Sequence, residues 1–213
     1  MRITVFGAAG NVGSRVVTEA LSRGHEVTAV VRDAARFAEL DPRAAHRTGN
    51  ASSPSDVAAL ADGQELVITA TRPAAGRESD LSAMTRGLLA GLAGTGVRLL
   101  VVGGAGSLTL PGTDGLTVVE GPDFPAAWRP IALACDEQLK TVRTEAGDVD
   151  WAYLSPAALL EPGVRTGAYR LGGDELLVDA DGNSAISMED LAVVLLDEAE
   201  RPKHHRARFT AAY

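Results

Sequence analysis

Seven residues, Gly7-Ala8-Ala9-Gly10-Asn11-Val12-Gly13, constrain this chain more than any other stretch. The run before them, Arg2-Ile3-Thr4-Val5-Phe6, is apolar and β-branched and reads as a buried strand. After them Val12, Val16, Val17, Ala20 and Leu21 recur at helical spacing, so a helix opens inside the motif. Gly7 suits the tight turn, and Gly10 lets the backbone approach a ligand with no Cβ in the way. Gly13 allows the helix to pack close to the strand. The helix N-terminus then offers free N–H groups and partial positive charge to an anion. A tight turn without a ligand could carry the same glycines. The strand before and the helix after favour a phosphate site. The spacing is G-x-x-G-x-x-G, one residue longer in its first step than the G-x-G-x-x-G dinucleotide fingerprint.

The rest of the chain repeats the strand-then-helix order. Strands are expected at Glu26–Val31, Ala45–Thr48, Leu66–Ala70, Val97–Val102 and Trp151–Leu154. Helices are expected at Ala34–Leu40, from Ser53, at Asp80–Ala93 and at Pro130–Thr144. That order predicts a Rossmann-like, doubly wound α/β fold with a parallel sheet, and ligands at the carboxyl ends of its strands. Near the end, Tyr169–Leu171 and Glu175–Val178 suggest a small hairpin across Gly172-Gly173-Asp174. Ser187-Met188-Glu189-Asp190 reads as a capping box opening a last helix, and Arg206–Thr210 as a terminal strand. Residues 1–213 are expected to form a single domain. Gly103–Pro125, rich in Gly and Pro, is expected to be a lid or substrate loop, and 156–213 a small C-terminal substrate-side region.

Net charge is −8, which argues against nucleic acid or an anionic membrane as partner. Cys135 is the only cysteine, and no apolar run approaches a membrane span. A strand beginning at residue 2 leaves no room for a signal peptide, so a cytoplasmic protein is expected. His25, His46, His204 and His205 show no metal-ligand spacing, and no metal is expected.

Arg32 ends the second strand, where such folds meet the adenosine ribose, and Arg36 follows one helical turn later. A guanidinium suits a ribose 2′-phosphate, which favours NADP(H), while the neighbouring Asp33 keeps NAD(H) as the alternative. An absence is equally informative. Short-chain dehydrogenases that reduce carbonyls use a Tyr followed four residues later by Lys. Here Tyr153 is followed at that spacing by Ala157 and Tyr169 by Gly173, and Trp128–Leu139 holds neither residue type. Ser107, after Gly103-Gly104-Ala105-Gly106, is the one candidate catalytic contact, with a turn role as its alternative. Asp123, Arg129, Asp136 and Glu161 are polar residues near the loop that no spacing singles out.

These features together resemble a known group. The glycine turn, Val30-Val31-Arg32-Asp33, Gly49-Asn50 before Ser55-Asp56-Val57, Val101–Ser107, Asp150–Ala157, Thr166–Tyr169 and Ile186–Ala192 span nearly the whole chain. The pattern resembles the atypical short-chain dehydrogenase/reductase family with NmrA-like, NAD(P)H-binding members, and within it the flavin reductase/biliverdin reductase B type. The resemblance implies that Gly7, Gly10 and Gly13 hold a pyrophosphate, Arg32 a 2′-phosphate, and Pro156, Ala157 and Ala158 the nicotinamide side. Relatives often carry Gly-Asp where this chain has Gly49-Asn50, and a serine near Gly104. The full expected cofactor set adds Ala9, Asn11, Val12, Arg36, Asn50, Ala51, Ala70, Thr71, Arg72, Gly103 and Gly104.

The expected function is NAD(P)H-dependent reduction of a flavin, quinone or other conjugated small-molecule acceptor. Such acceptors spread the incoming charge and need no protein proton donor. Two alternatives stand beside it: a non-catalytic redox sensor of the NmrA type, and a non-redox isomerase or epimerase on the same fold.

Overall fold

The computed structural model describes all 213 residues. Ten strands are present: β1 (Arg2–Phe6), β2 (Glu26–Val31), β3 (Ala45–Thr48), β4 (Leu66–Thr69), β5 (Arg98–Val102), β6 (Trp151–Pro156), β7 (Leu159–Glu161), β8 (Arg170–Gly172), β9 (Ala185–Ser187) and β10 (Ala207–Ala212). Five α-helices join them: α1 (Asn11–Ser22), α2 (Pro54–Ala61), α3 (Asp80–Leu92), α4 (Arg129–Glu145) and α5 (Met188–Glu200). The main sheet runs β3-β2-β1-β4-β5-β6-β10-β8, parallel throughout except for β8. Its first six strands have the order of a dinucleotide-binding sheet. This is the Rossmann-like α/β arrangement that the strand–helix alternation implies.

The central strands are continuous apolar runs because helices cover both faces. Alternate residues still part company. Ile3, Val5, Leu66, Ile68, Leu100, Ala152 and Leu154 enter the layer beneath α1 and α5. Phe6, Val67, Leu99, Val101, Trp151 and Tyr153 enter the layer beneath α2, α3 and α4. Several of these side chains are fully buried, each contributing roughly 1.5–3 kcal/mol by leaving water.

Three local expectations are corrected. The small hairpin is absent: β8 pairs antiparallel with β10, Leu171 opposite Ala211, and Glu175 instead bridges Thr109. The turn chemistry of Gly172-Gly173-Asp174 is used to leave the sheet rather than to fold back along it. The expected capping box is half formed. Ser187 Oγ accepts from the N–H of Asp190, but the Asp190 carboxylate accepts from Thr166, Gly167 and the Tyr213 hydroxyl. The strand expected to break at Ser155 runs on through Pro156, because Ala211 of β10 pairs beside it.

The loop expected as a lid is pinned along much of its length. Leu108 and Val119 are buried, and Val118 and Val119 donate back to the carbonyls of Leu108 and Gly106. Its longest exposed run is residues 111–116. No helix is long and apolar enough to cross a membrane.

Candidate dinucleotide and acceptor site

The parallel strands β1, β2, β4, β5 and β6 end at one rim of the sheet. At its centre Gly7 adopts φ +80°, a left-handed conformation that side chains disfavour. A Cβ there would stand 2.6 Å from the Ala70 carbonyl oxygen. A Cβ on Gly13 would stand 2.0 Å from the Gly7 carbonyl oxygen, so α1 packs against the turn only because both residues are glycine.

The N-terminus of α1 carries no side-chain cap. Gly10 N–H bonds to Gly7 and Ser14 N–H to Gly10, which leaves Asn11, Val12 and Gly13 N–H groups free to meet an anion. By contrast α2 and α5 are capped by Ser53 and Ser187. An uncapped helix end behind a glycine turn fits a pyrophosphate. α3 and α4 lack a side-chain cap as well, so it is the glycine turn in front of α1, and not the bare helix end alone, that fits a pyrophosphate.

The other expected cofactor residues sit on the same rim with different degrees of freedom. Arg32 is exposed at the tip of β2. Asp33, the acidic alternative beside it, accepts from the Ala35 N–H and starts a short 3-10 turn. Arg36 donates to the Ala9 carbonyl at 3.0 Å and to Glu39, bridging that turn to the glycine loop. Asn50 is exposed, with its side-chain oxygen bound to the Ser52 N–H, and Ala51 is buried behind it. Ala70 donates to the Phe6 carbonyl, and the Thr71 hydroxyl meets that of Thr69 at 3.0 Å. Pro156 and Ala157 are buried at the end of β6, and the Ala158 N–H is bound to Ser184 Oγ.

Gly103 and Gly104 have a packing reason of their own. A Cβ on Gly103 would lie 2.0 Å from the Tyr153 ring, and one on Gly104 would lie 2.8 Å from the Cys135 Cβ. The glycine run after β5 lets α4 press onto the sheet.

Two titratable groups near this run are spoken for. Burial pushes the Cys135 thiol up to about 12, consistent with a small core residue and not a nucleophile. The Tyr153 hydroxyl donates to the Cys135 carbonyl at 2.9 Å and lies 3.3 Å from Gln138 Oε1. Its burial raises it well above the usual phenol range, and its proton is bonded to the Cys135 carbonyl, away from the rim.

Ser107 joins a polar cluster between β5, α4 and β10. Arg208 donates to Ser107 Oγ at 3.0 Å and also pairs with Asp174. Asp136 on α4 faces the same serine. Burial raises its carboxyl above the usual range against the opposing pull of Ser107 and Arg208. Arg208 and Trp128 were not legible as site residues, because only the fold brings β10 and the start of α4 to the tip of β5. Trp128 is 54% exposed, and the Arg72 guanidinium lies 5.3 Å from its ring centroid. Arg129 lies 5.8 Å from the ring of Phe124.

A parallel sheet with an uncapped helix behind a glycine turn, and arginine in place of a free acid at the end of β2, defines a dinucleotide-binding protein. Residues 7–202 match the model of an NAD(P)H-binding family, and the chain belongs to that family. This agrees with the resemblance carried by the motifs. The chain is similar to the uncharacterized protein YwnB of Bacillus subtilis, 37% identical across 99% of this chain and 97% of that one. Among solved structures it is similar to a Bacteroides thetaiotaomicron protein provisionally named an epimerase, with 40% identity, TM-score 0.89, and coverage of 100% and 96% of the two chains. It is also similar to a Streptococcus pneumoniae protein provisionally named an NADH-flavin reductase, with 32% identity, TM-score 0.85, and coverage of 100% and 99%.

Proposed function

We propose that this chain is a reductase that prefers NADP(H) and passes hydride to a flavin, quinone or other conjugated small molecule. The observation that carries the reading is the fate of the phenols. Tyr153 is buried and bonded to backbone, the Tyr169 hydroxyl is bonded to Asp197, and the Tyr213 hydroxyl is bonded to Asp190. None stands free at the rim to protonate an alkoxide, a role that contributes about 10²–10⁴-fold in rate where it exists. A conjugated acceptor spreads the charge and takes its proton from water. The name of the Streptococcus pneumoniae relative supports the same class.

Bound NADPH would supply the hydride from its nicotinamide ring. Gly7, Gly10 and the α1 N-terminus would hold the pyrophosphate, Arg32 the 2′-phosphate, and the tips of β5 and β6 the nicotinamide side. The chain's contribution is then proximity and orientation. The test is NADPH oxidation with free flavins, quinones, and simple ketones and aldehydes. Turnover is expected with the first two groups. Efficient turnover of ketones without flavins or quinones would overturn the reading.

The name of the Bacteroides thetaiotaomicron relative favours a second reading, a non-redox epimerase. Tight NADP(H) binding with no net oxidation by any acceptor would select it, or the regulatory role of NmrA-like proteins.

A further inference from the structure

Lys140 and Lys203 are the only lysines among 20 basic residues, so arginine carries nearly all the positive charge. Almost every arginine is committed to a carboxylate or a carbonyl within the chain. Even the exposed ones follow this rule: Arg43 binds Asp41, Arg77 binds Asp80, Arg86 binds Glu145, and Arg47 binds the His46 carbonyl. The guanidiniums of three arginines make no hydrogen bond and no ion pair: Arg32, Arg72 and Arg129. In a chain with 28 acidic residues, that grouping needs a cause. All three stand at the ligand rim, after β2, after β4 and at the first residue of α4.

Arg32 is accounted for by the 2′-phosphate. Arg72 and Arg129 cannot share that role. Strand β4 is two positions from β2 in the sheet, roughly 10 Å away at ordinary strand spacing, with the glycine turn of β1 between them. Their side chains lie farther along, over Trp128 and Phe124 on the side of β5 and α4. That is the side on which the acceptor must meet the nicotinamide. A guanidinium held over an aromatic ring keeps its N–H edge free for an anion, and an exposed indole offers a face to a planar molecule.

We propose that Arg72, Trp128 and Arg129 form an acceptor subsite for a planar conjugated molecule bearing an anionic arm, a phosphate, sulfonate or carboxylate. The inference rests on the reductase reading and narrows its substrate class. The ring stacks against Trp128, and the two guanidiniums hold the arm by charge-assisted hydrogen bonds. Neutral acceptors of the same ring shape use the stack alone.

Two matched pairs test this: FMN against riboflavin, and 1,4-naphthoquinone-2-sulfonate against 1,4-naphthoquinone. With NADPH in the wild-type protein, KM for the anionic member of each pair is expected to be about tenfold lower or better. In Arg129→Gln, which lies outside the expected cofactor set, that advantage falls to within about threefold, while KM for the neutral members and the unfolding temperature stay put. Isothermal titration of FMN and riboflavin into NADP⁺-saturated protein, where no hydride is available, gives the same ranking without turnover. Equal KM values within both pairs, or a preference that survives Arg129→Gln, overturn the subsite and leave the reductase reading standing. No oxidation of NADPH by any of the four compounds overturns the acceptor class, and the subsite with it.

Discussion

The two rims of the sheet use arginine in opposite ways. At the amino ends of the strands arginines are paired with carboxylates. Arg98 of β5, 11% exposed, binds Glu198, the His204 carbonyl and Asp150. Beside it Arg23 binds Glu19, Asp197 and Glu200, and His25 meets Glu200 as well. These ions tie α1, α5 and the strand starts together. At the carboxyl ends Arg32, Arg72 and Arg129 stand without partners. A buried ion is tolerated only when paired, whereas a ligand-binding ion must be left available. The same side chain is therefore paired within the chain at one rim and left unpaired at the other, where the proposed function would have it meet ligand charge.

Breaking the paired rim should have the largest effect. Glu198 is 4% exposed and accepts from Arg98, from the backbone of Lys203 and His204, and lies 2.8 Å from His204 Nδ1. Burial raises its carboxyl, but the Arg98 guanidinium and these N–H groups outweigh it and hold it below the usual range. Glu198→Ala strands Arg98 and should cost about 3–5 kcal/mol of stability in urea unfolding. A carboxyl depressed in the folded state stabilises above its unfolded value, near about 4.3, and that gain is lost as pH falls through the folded value. Stability of the wild type should therefore drop in acid more steeply than that of Glu198→Gln. Equal slopes would mean that Glu198 is not part of the acid response.

At the ligand rim the expected losses are in affinity rather than in stability. Gly10→Val places a branched side chain where a pyrophosphate would pass, and the nearest protein atom to its Cβ, the Gly7 carbonyl oxygen, is 3.1 Å away. NADPH affinity should fall about 100-fold or more, roughly the value of one or two charge-assisted hydrogen bonds. The far-ultraviolet circular dichroism should stay native. Unchanged affinity in a folded variant would place the phosphates elsewhere. Arg32→Ala is smaller and selective: about tenfold weaker for NADPH, with NADH unaffected. A parallel loss for both cofactors would show that Arg32 contacts something other than a 2′-phosphate.

The contrast also explains what could be read from the residues alone. The runs at Leu66–Thr69 and Arg98–Val102 announce buried parallel strands, because helices on both faces leave them no polar side. The glycine turn was legible for a similar reason, since its chemistry is local and its spacing fixed. Pairings made across the chain were not. β8 looked like half of a hairpin because Gly172 and Gly173 are turn residues, yet its partner is the last strand. The β7–β9 pair went unseen for the same reason, three residues being too few to show a period. Gly103 and Gly104 looked like a loop rich in freedom, whereas Tyr153 and Cys135 occupy the space their side chains would need. Arg129 was visible as a polar residue near the loop, but its lack of a partner is a property of the fold, and no spacing encodes it.

Arg36 lies between the two patterns and yields the smallest and most discriminating effect. It reaches the glycine loop through the Ala9 carbonyl, as a phosphate ligand would, yet it is also paired with Glu39 at 2.7 Å. Both side chains of that pair are about half exposed, so the bond is weak and screened by salt. The Arg36 hydrogen bond holds the Glu39 carboxyl below its usual range, so the glutamate is ionised at neutral pH and opposes any anion nearby. Glu39→Gln removes that charge and would release the guanidinium toward the 2′-phosphate that the proposed mode seats beside Arg32. NADPH affinity should rise about two- to fourfold, with NADH nearly unchanged and the gain shrinking as salt is added. Arg36→Ala should lose a similar factor, well below the loss expected for Arg32→Ala. If Glu39→Gln instead weakens NADPH, the pair works as a clamp that orders the 3-10 turn, and Arg36 belongs with the structural arginines of the other rim.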